Sequence, residues 1–298
     1  MATTRSGSLR RYYDLNGWLF TAPALTLIAL FMIYPIAYSL WMSLHSGRGM
    51  MMKFAGFGNI IRLWHDPVFI RALTNTFIFF IVQVPIMITL ALIMAAALNN
   101  PNLKFRGLFR TAIFLPCVTS LVAYSVLFKS MFATDGVVNS SLEAIGLIST
   151  PLPWFTDPFW AKTLIIIAIT WRWTGYNMIF YLSAMQNIDK SIYEAARIDG
   201  ISARGQLLYL TIPMLKPVIL FTTVTSTIGT LQLFDEVANI PSTPGAPADS
   251  TLTLSLYIYN LTFKFMPSFG YAATISYVIV ILVAILAFLQ FYVARERD

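Results

Sequence analysis

The chain has 298 residues, of which 57% are hydrophobic and only 11% charged, and its mean hydropathy is +0.70. Soluble domains carry about 25% charged residues, so a soluble globular protein is excluded and a polytopic membrane protein is expected, with residues 1–298 forming a single domain. The formal net charge of +7 does not indicate a nucleic-acid partner, because Lys and Arg are scattered over the connections between apolar runs, where membrane topology places them.

Residues 1–16 are polar and carry Arg5, Arg10 and Arg11. The apolar run Gly17–Leu44 follows this basic flank but is too long for the apolar region of a signal peptide. It is expected to be a retained first span, bent by Pro23 and Pro35. Residues 45–72 form a mixed connection with Gly47, Gly49, Gly56 and Gly58. A second span is expected over about Leu73–Leu98, ended by Asn99-Asn100-Pro101, and a third over Gly107–Phe132 with Pro116 inside it. A polar loop, 133–159, leads to a fourth span at about Trp160–Leu182. The fifth, Leu215–Val237, is separated from the sixth, Tyr271–Val293, by a Pro/Gly/Ser/Thr loop over 238–270. Each run has at least ~20 mainly apolar residues, enough to cross hydrocarbon as a helix. The expected fold is all-α, with six transmembrane helices.

Between the fourth and fifth spans lies the most highly charged stretch of the chain, 189–217, with Asp189, Lys190, Glu194, Arg197, Asp199, Arg204 and Lys216. Ser191 and Glu194 have the spacing of a capping box. Ile192, Ala195, Ala196 and Asp199 continue at helical spacing, and Gly200 supplies a left-handed stop. A second short helix is expected over about Ser202–Leu210, before Pro213 and Pro217. Local chemistry alone favours an amphipathic loop that merely connects two spans.

The longer pattern Glu194-Ala195-Ala196, Gly200, Leu210-x-Ile212-Pro213 resembles the EAA loop of permease subunits of binding-protein-dependent ABC importers, with the order of its two aliphatic residues exchanged. Other stretches are similar to the sugar permeases of that family. They are Phe54-x-Gly56-x-x-Asn59 with Trp64-x-Asp66-Pro67-x-Phe69, Thr251-x-Thr253-Leu254-x-Leu256-Tyr257-Ile258-Tyr259, and Phe269-Gly270-Tyr271-Ala272-Ala273. The Pro241–Asp249 loop keeps a Pro/Gly character without the family's usual Thr-Gly-Gly-Pro string. The resemblance, from about Leu15 to Arg295, implies a permease core over about 70–295. It further implies a maltose-type permease of the type I importer fold whose loop 189–217 docks on an ATPase through Glu194, Ala195, Ala196, Asp199, Gly200 and Arg204. The partners it implies are a second permease chain, two ATPase subunits, an extracytoplasmic solute-binding protein and a carbohydrate. ATP and Mg would be bound by the partner subunits, leaving no cofactor in this chain.

The residues agree with a non-catalytic role. No Gly-rich phosphate loop is present, Cys117 is the only cysteine, and His45 and His65 lack metal-ligand spacing. Lys104, Arg106 and Arg110, the basic residues of 189–217 and those of both termini outnumber Arg48, Lys53, Arg62, Arg71, Lys129, Lys162 and Lys264 on the opposite side. By the positive-inside rule both termini and the charged loop face the cytoplasm of a bacterial inner membrane.

Polar side chains within spans are candidates for a substrate path. These are Asn75 and Gln83 on the second span, Tyr176 and Asn177 on the fourth, and Gln232 and Asp235 on the fifth. Gln232 and Asn177 stand out because each has an aromatic neighbour able to stack on a pyranose. Arg172, in Trp171-Arg172-Trp173, is expected to snorkel or to pack between rings. Adjacent Asp235 and Glu236 leave open a secondary transporter coupled to cations. A permease of the same superfamily for a non-sugar solute such as glycerol phosphate is a further alternative. A membrane enzyme would need clustered acids or histidines, which the sequence does not offer.

Overall fold

The computed structural model describes residues 5–48 and 51–295. Residues 1–4 of the basic N-terminal segment, Gly49 and the tail Glu296–Asp298 with its Arg297 lie outside the described residues. The elements, in order, are α1 (Arg5–Ile28), α2 (Tyr34–Ser43), β1 (His45–Arg48), β2 (Met51–Phe54), α3 (Gly58–His65), α4 (Pro67–Asn99), α5 (Arg106–Val118), α6 (Leu121–Met131), α7 (Val137–Ala144), α8 (Pro158–Gln186) and α9 (Lys190–Ile198). There follow α10 (Ala203–Gln206), α11 (Ile212–Met214), α12 (Lys216–Leu231), α13 (Asp235–Asn239), α14 (Leu254–Tyr259) and α15 (Phe269–Arg295). One π-helical turn, Ala29–Ile33, joins α1 to α2 just before Pro35, and another, Leu207–Thr211, joins α10 to α11.

Among the described residues, four helical stretches are long and apolar enough to cross a membrane: Tyr12–Ser43, α4, Lys216–Asn239 and α15. The expected third span departs from a straight helix. It is two helices, α5 and α6, bent by 102°. Pro116 supplies no amide hydrogen to the last turn of α5, the Thr119 hydroxyl donates back to the Pro116 carbonyl at 2.8 Å, and Ser120 caps α6 by accepting from the Ala123 N–H at 3.2 Å. The expected fourth span is α8. It carries Arg172, Trp173, Tyr176 and Asn177 and is less apolar than the others. Its place explains this, since α8 packs against α4, α5 and α12 and buries thirteen of its side chains, so much of it meets protein rather than lipid.

Both long inner helices begin the same way. Asp66 accepts from the Val68 and Phe69 N–H groups at 2.9 and 3.3 Å, and Asp157 accepts from Phe159 and Trp160 at 2.9 and 3.1 Å. In each case a proline follows at the first helical position, where its missing N–H costs nothing. One apolar cluster joins α4 and α8 to α12 through Ala91, Ala95, Met178, Tyr181 and Leu215. The other joins α4, α6, α8, α14 and α15 through Phe79, Tyr124, Ile165, Leu254 and Ile275. Small residues allow the close helix approach on which packing in lipid depends. At Gly175 a Cβ would run into the Ile113 carbonyl of α5. Gly175→Val is therefore expected to force α8 away from α5, costing roughly 1–3 kcal/mol or more. A lower thermal midpoint in detergent is the readout, and an unchanged midpoint would remove this contact from the stability of the bundle.

The stretch 238–270, expected as a Pro/Gly/Ser/Thr loop, is a packed insert. Thr251, Thr253 and Leu254 are fully buried, the Thr253 hydroxyl donates to the Leu233 carbonyl at 2.6 Å, and the Leu254 N–H donates to Thr76 Oγ1 at 3.2 Å. The 45–72 connection is likewise built rather than loose: β1 and β2 pair antiparallel, and buried Asn59 donates to the Ser43 and His45 carbonyls at 2.8 and 2.9 Å. Along α1 no described side chain is buried, so its apolar surface is left for lipid or another chain.

Candidate functional site

Five of the six polar residues placed on the substrate path come together. Gln83 of α4, Tyr176 and Asn177 of α8, Gln232 just after α12 and Asp235 at the start of α13 line one cavity of about 520 Å³, with Met87, Trp173, Thr230 and Glu236. The cavity exists because α12 stops at Leu231 and the chain resumes as α13 only at Asp235. Where the helix breaks, Gln232 and Asp235 are exposed into the opening.

The lining is held from behind. Gln83 is buried, accepts from the Thr230 hydroxyl at 3.0 Å and points its amide at Met87 Sδ, 3.1 Å away. Asn177 is buried and donates to the Trp173 carbonyl at 3.1 Å, while its Oδ1 has no protein partner. Trp173 and Tyr176 meet edge to face at 5.9 Å and Tyr176 meets Phe180 at 5.0 Å. The site thus offers an aromatic wall, a carboxylate, and amide groups with spare hydrogen-bonding capacity, the combination that binds polyhydroxylated molecules.

Asn75 departs from the expectation. It is buried outside the cavity, and its amide hydrogens go to the Asp249 and Leu252 carbonyls at 2.8 and 2.9 Å. It fixes the insert to α4, helped by the exposed Arg71–Asp249 pair at 3.7 Å. Both of its donors are thus spent on backbone.

Arg172 neither snorkels nor rests on rings alone. Its guanidinium lies 3.4 Å from the Glu236 carboxylate and 5.0 and 5.5 Å from the Tyr124 and Trp173 rings. The pairing spans 64 positions, and a charge within an apolar run was its only trace in the sequence.

At the other end of the bundle, α9 and α10 form the charged segment. The start of α9 differs from the expected capping box. Asp189, not Ser191, is the cap, accepting from the Ser191 N–H at 2.9 Å. The Asp189 carboxylate reaches the free amides one position pair earlier, so Ser191 falls inside the first turn and Glu194 is left exposed. That Ser191 amide and the Ser191 hydroxyl hold the Asp189 carboxyl below its ordinary range. Gly200 ends the helix at φ +76°. Its N–H donates to the Arg197 carbonyl at 3.1 Å and the Ile201 N–H to that of Ala196 at 2.9 Å, the paired bonds of a Schellman turn. Ala196 is buried, whereas Glu194, Ala195, Asp199, Gly200 and Arg204 are exposed. Tyr193 OH and Thr211 Oγ1, 3.0 Å apart, tie α9 to the turn leading into α12. Ile198 is 86% exposed and Tyr209 76%, apolar groups on an otherwise polar surface.

Residues 58–298 match the model of the family described as binding-protein-dependent transport system inner membrane component. The chain is 73% identical over 297 residues to the lactose transport system permease protein LacF of Rhizobium radiobacter, with 100% of each chain covered. It is 31% identical over 293 residues to the arabinooligosaccharides transport system permease protein AraP of Bacillus subtilis (strain 168), covering 97% of this chain and 92% of the other. Among solved structures it resembles a chain of a bacterial ABC transporter involved in the import of the acidic polysaccharide alginate, with a TM-score of 0.82 at 22% identity, covering 96% of this chain and 99% of that one. It also resembles a chain of the bacterial alginate ABC transporter in complex with an alginate pentasaccharide-bound periplasmic protein, with a TM-score of 0.77 at 23% identity and coverage of 97% and 95%. The fold is therefore that of type I ABC importer permeases.

Proposed function

Because the chain belongs to the family of binding-protein-dependent transport system inner membrane components, we propose that it is the transmembrane subunit of an ATP-driven importer for a sugar or short oligosaccharide. The observation that carries this reading is the convergence of Gln83, Tyr176, Asn177, Gln232 and Asp235 on one cavity. Its volume of about 520 Å³ falls in the ~300–1,000 Å³ range of small-molecule sites. A sugar there stacks on Trp173 or Tyr176 and exchanges water for hydrogen bonds to Asp235, Gln232 and Asn177.

The chain itself binds no nucleotide in this scheme. ATP and Mg belong to two ATPase subunits, which grip the α9–α10 segment through Glu194, Ala195, Ala196, Asp199, Gly200 and Arg204. The exposed Ile198 and Tyr209 supply apolar area for that contact. A second permease chain completes the pathway, and an extracytoplasmic binding protein delivers the sugar. Both termini and α9–α10 face the cytoplasm of a bacterial inner membrane, the orientation in which an ATPase reaches the segment and the one favoured by the basic residues.

The test is uptake of labelled lactose and of neutral oligosaccharides by the complex reconstituted in vesicles. Uptake should require ATP on the α9–α10 side and the binding protein on the other. Uptake driven by an ion gradient without ATP would establish a secondary transporter instead. Asn177→Ala and Gln232→Ala should each raise the half-saturating sugar concentration roughly fivefold or more, since an unpaired buried polar partner costs about 1–3 kcal/mol. Unaltered concentration dependence in both would make these residues interhelical glue.

A further inference from the structure

We propose that the buried Arg172–Glu236 pair is the positioning device that sets the sugar-facing geometry of the broken end of α12. The inference rests on the sugar-import reading and gives the pair a role there beyond any direct contact with the sugar. Two neighbouring relationships carry it. Arg172 directly precedes Trp173 on α8, and Glu236 directly follows Asp235 on α13, and Trp173 and Asp235 both face the cavity. The ion pair at 3.4 Å therefore joins the two cavity walls, with Glu236 in the lining and Arg172 one residue behind it.

The segment it holds is anchored by apolar packing, with Leu233, Val237 and Ile240 buried in the main cluster, but its backbone is irregular. Between Leu231 and Asp235 the helix is interrupted, with Phe234 at φ −133° and ψ −53°, outside the helical region. Within this interruption the Leu233 carbonyl is taken by the Thr253 hydroxyl. The short helix α13 then has to be oriented against α8, and it packs against both α6 and α8. Glu236 is buried and the Arg172 side chain nearly so. The guanidinium is further confined by the Tyr124 ring, which itself stacks on Trp171 at 6.0 Å. Arg172 Nε and Tyr124 OH remain without a protein partner, so this corner is not optimised for stability alone.

A buried ion pair adds little net stability over well-packed apolar side chains, because desolvation offsets the attraction; its distinctive contribution is direction. A guanidinium and a carboxylate meet in few geometries, and that restriction fixes the rotation of α13, hence where the Asp235 carboxylate and the Gln232 amide lie relative to Tyr176 and Asn177. Neutralising Glu236 by Arg172 also leaves Asp235 as the charged acceptor at the cavity surface, suited to accept hydrogen bonds from neutral hydroxyls.

The experiment uses the full permease in its reconstituted complex, with lactose as the probe. Arg172→Met/Glu236→Met keeps the volume of the corner and removes both charges together, so no single charge is left buried. It should insert normally and raise the half-saturating lactose concentration at least tenfold, with the maximal rate within about threefold of the parent. The charge-exchanged pair Arg172→Glu/Glu236→Arg should recover most of that loss. Glu236→Asp, which keeps the charge and shortens the arm, should raise half-saturation severalfold and decides the matter if the double Met variant does not insert. Unchanged half-saturation in the double Met variant, or in Glu236→Asp where that variant is absent from the membrane, overturns the inference. So does a fall in maximal rate alone. An unmodified complex that imports no saccharide with ATP would instead defeat the underlying reading, and with it the inference.

Discussion

Gly200→Val is expected to lower coupled transport about tenfold or more while the protein still reaches the membrane. Gly200 sits at φ +76°, and a Cβ placed there meets no atom within 4 Å. Steric collision with neighbours is therefore not the difficulty. The difficulty is the left-handed backbone itself, which costs an L-residue roughly 1–2 kcal/mol and a β-branched one more. The turn it closes is held by the Gly200–Arg197 and Ile201–Ala196 backbone bonds, the bond from Gln206 Nε2 to the Ile201 carbonyl and the Tyr193–Thr211 tie. A short exposed segment cannot absorb the strain by packing and would relax to another turn, rotating α10 away from α9. The surface offered to an ATPase would then be two unrelated pieces. This assignment predicts its own control: Gly200→Asn, a residue that tolerates the left-handed region, should keep most of the transport. ATP-driven uptake and stimulation of ATP hydrolysis by the loaded binding protein are the measurements. Full coupling in the Val variant would show that the turn does not transmit the motion. Equal loss in Val and Asn would show that an added side chain, not backbone strain, is what the partner refuses.

What the sequence revealed and what it hid divide along contact distance. Gly200 as a helix stop and the long apolar runs are local chemistry, readable because the residue and its consequence are neighbours; the break after Pro116 was not legible, the stretch reading as one span. The capping box was misplaced by local competition, Asp189 and Ser191 both being good caps and the carboxylate prevailing. Polar residues inside apolar runs were visible as candidates, but sorting them required partners. Asn75 and Gln83 lie on the same helix and look alike in sequence. One spends its donors on carbonyls 174 and 177 positions away, and the other faces the cavity. Stretch 238–270 read as a loop because Pro, Gly, Ser and Thr dominate it. In the structure its threonines are the hydrogen-bonding groups that let irregular backbone sit inside a membrane protein, with Thr253 and Thr251 each donating to a backbone carbonyl.

Asp66→Ala is expected to be strongly destabilising. Its carboxylate unites three elements: Oδ1 caps α4, and Oδ2 accepts from Tyr257 OH of α14 at 2.7 Å and from Tyr271 OH of α15 at 2.6 Å. The Arg62 guanidinium lies 3.9 Å over the Tyr271 ring and closes the group. Alanine removes a cap, worth about 1 kcal/mol, and strands two tyrosine hydroxyls whose residues are 6% and 1% exposed, at about 1–3 kcal/mol each. A loss of roughly 3 kcal/mol or more follows, read as a lower thermal midpoint in detergent and lower yield. The charge makes a second, independent prediction. Burial raises the Asp66 carboxyl pKa, but the hydrogen bonds from Tyr257, Tyr271 and the Phe69 and Val68 amides outweigh it and hold the group below its ordinary value. A carboxyl depressed on folding contributes stability that is complete above its unfolded pKa, about 3.9, and is lost as pH falls through the folded value. Asp66→Asn keeps the cap but not the charge. Its deficit in thermal midpoint relative to the parent should be full at neutral pH and shrink as the solution is acidified below about pH 4. A deficit that stays constant into acid would mean that shape alone, and not the carboxylate's charge, binds the two tyrosines to the head of α4.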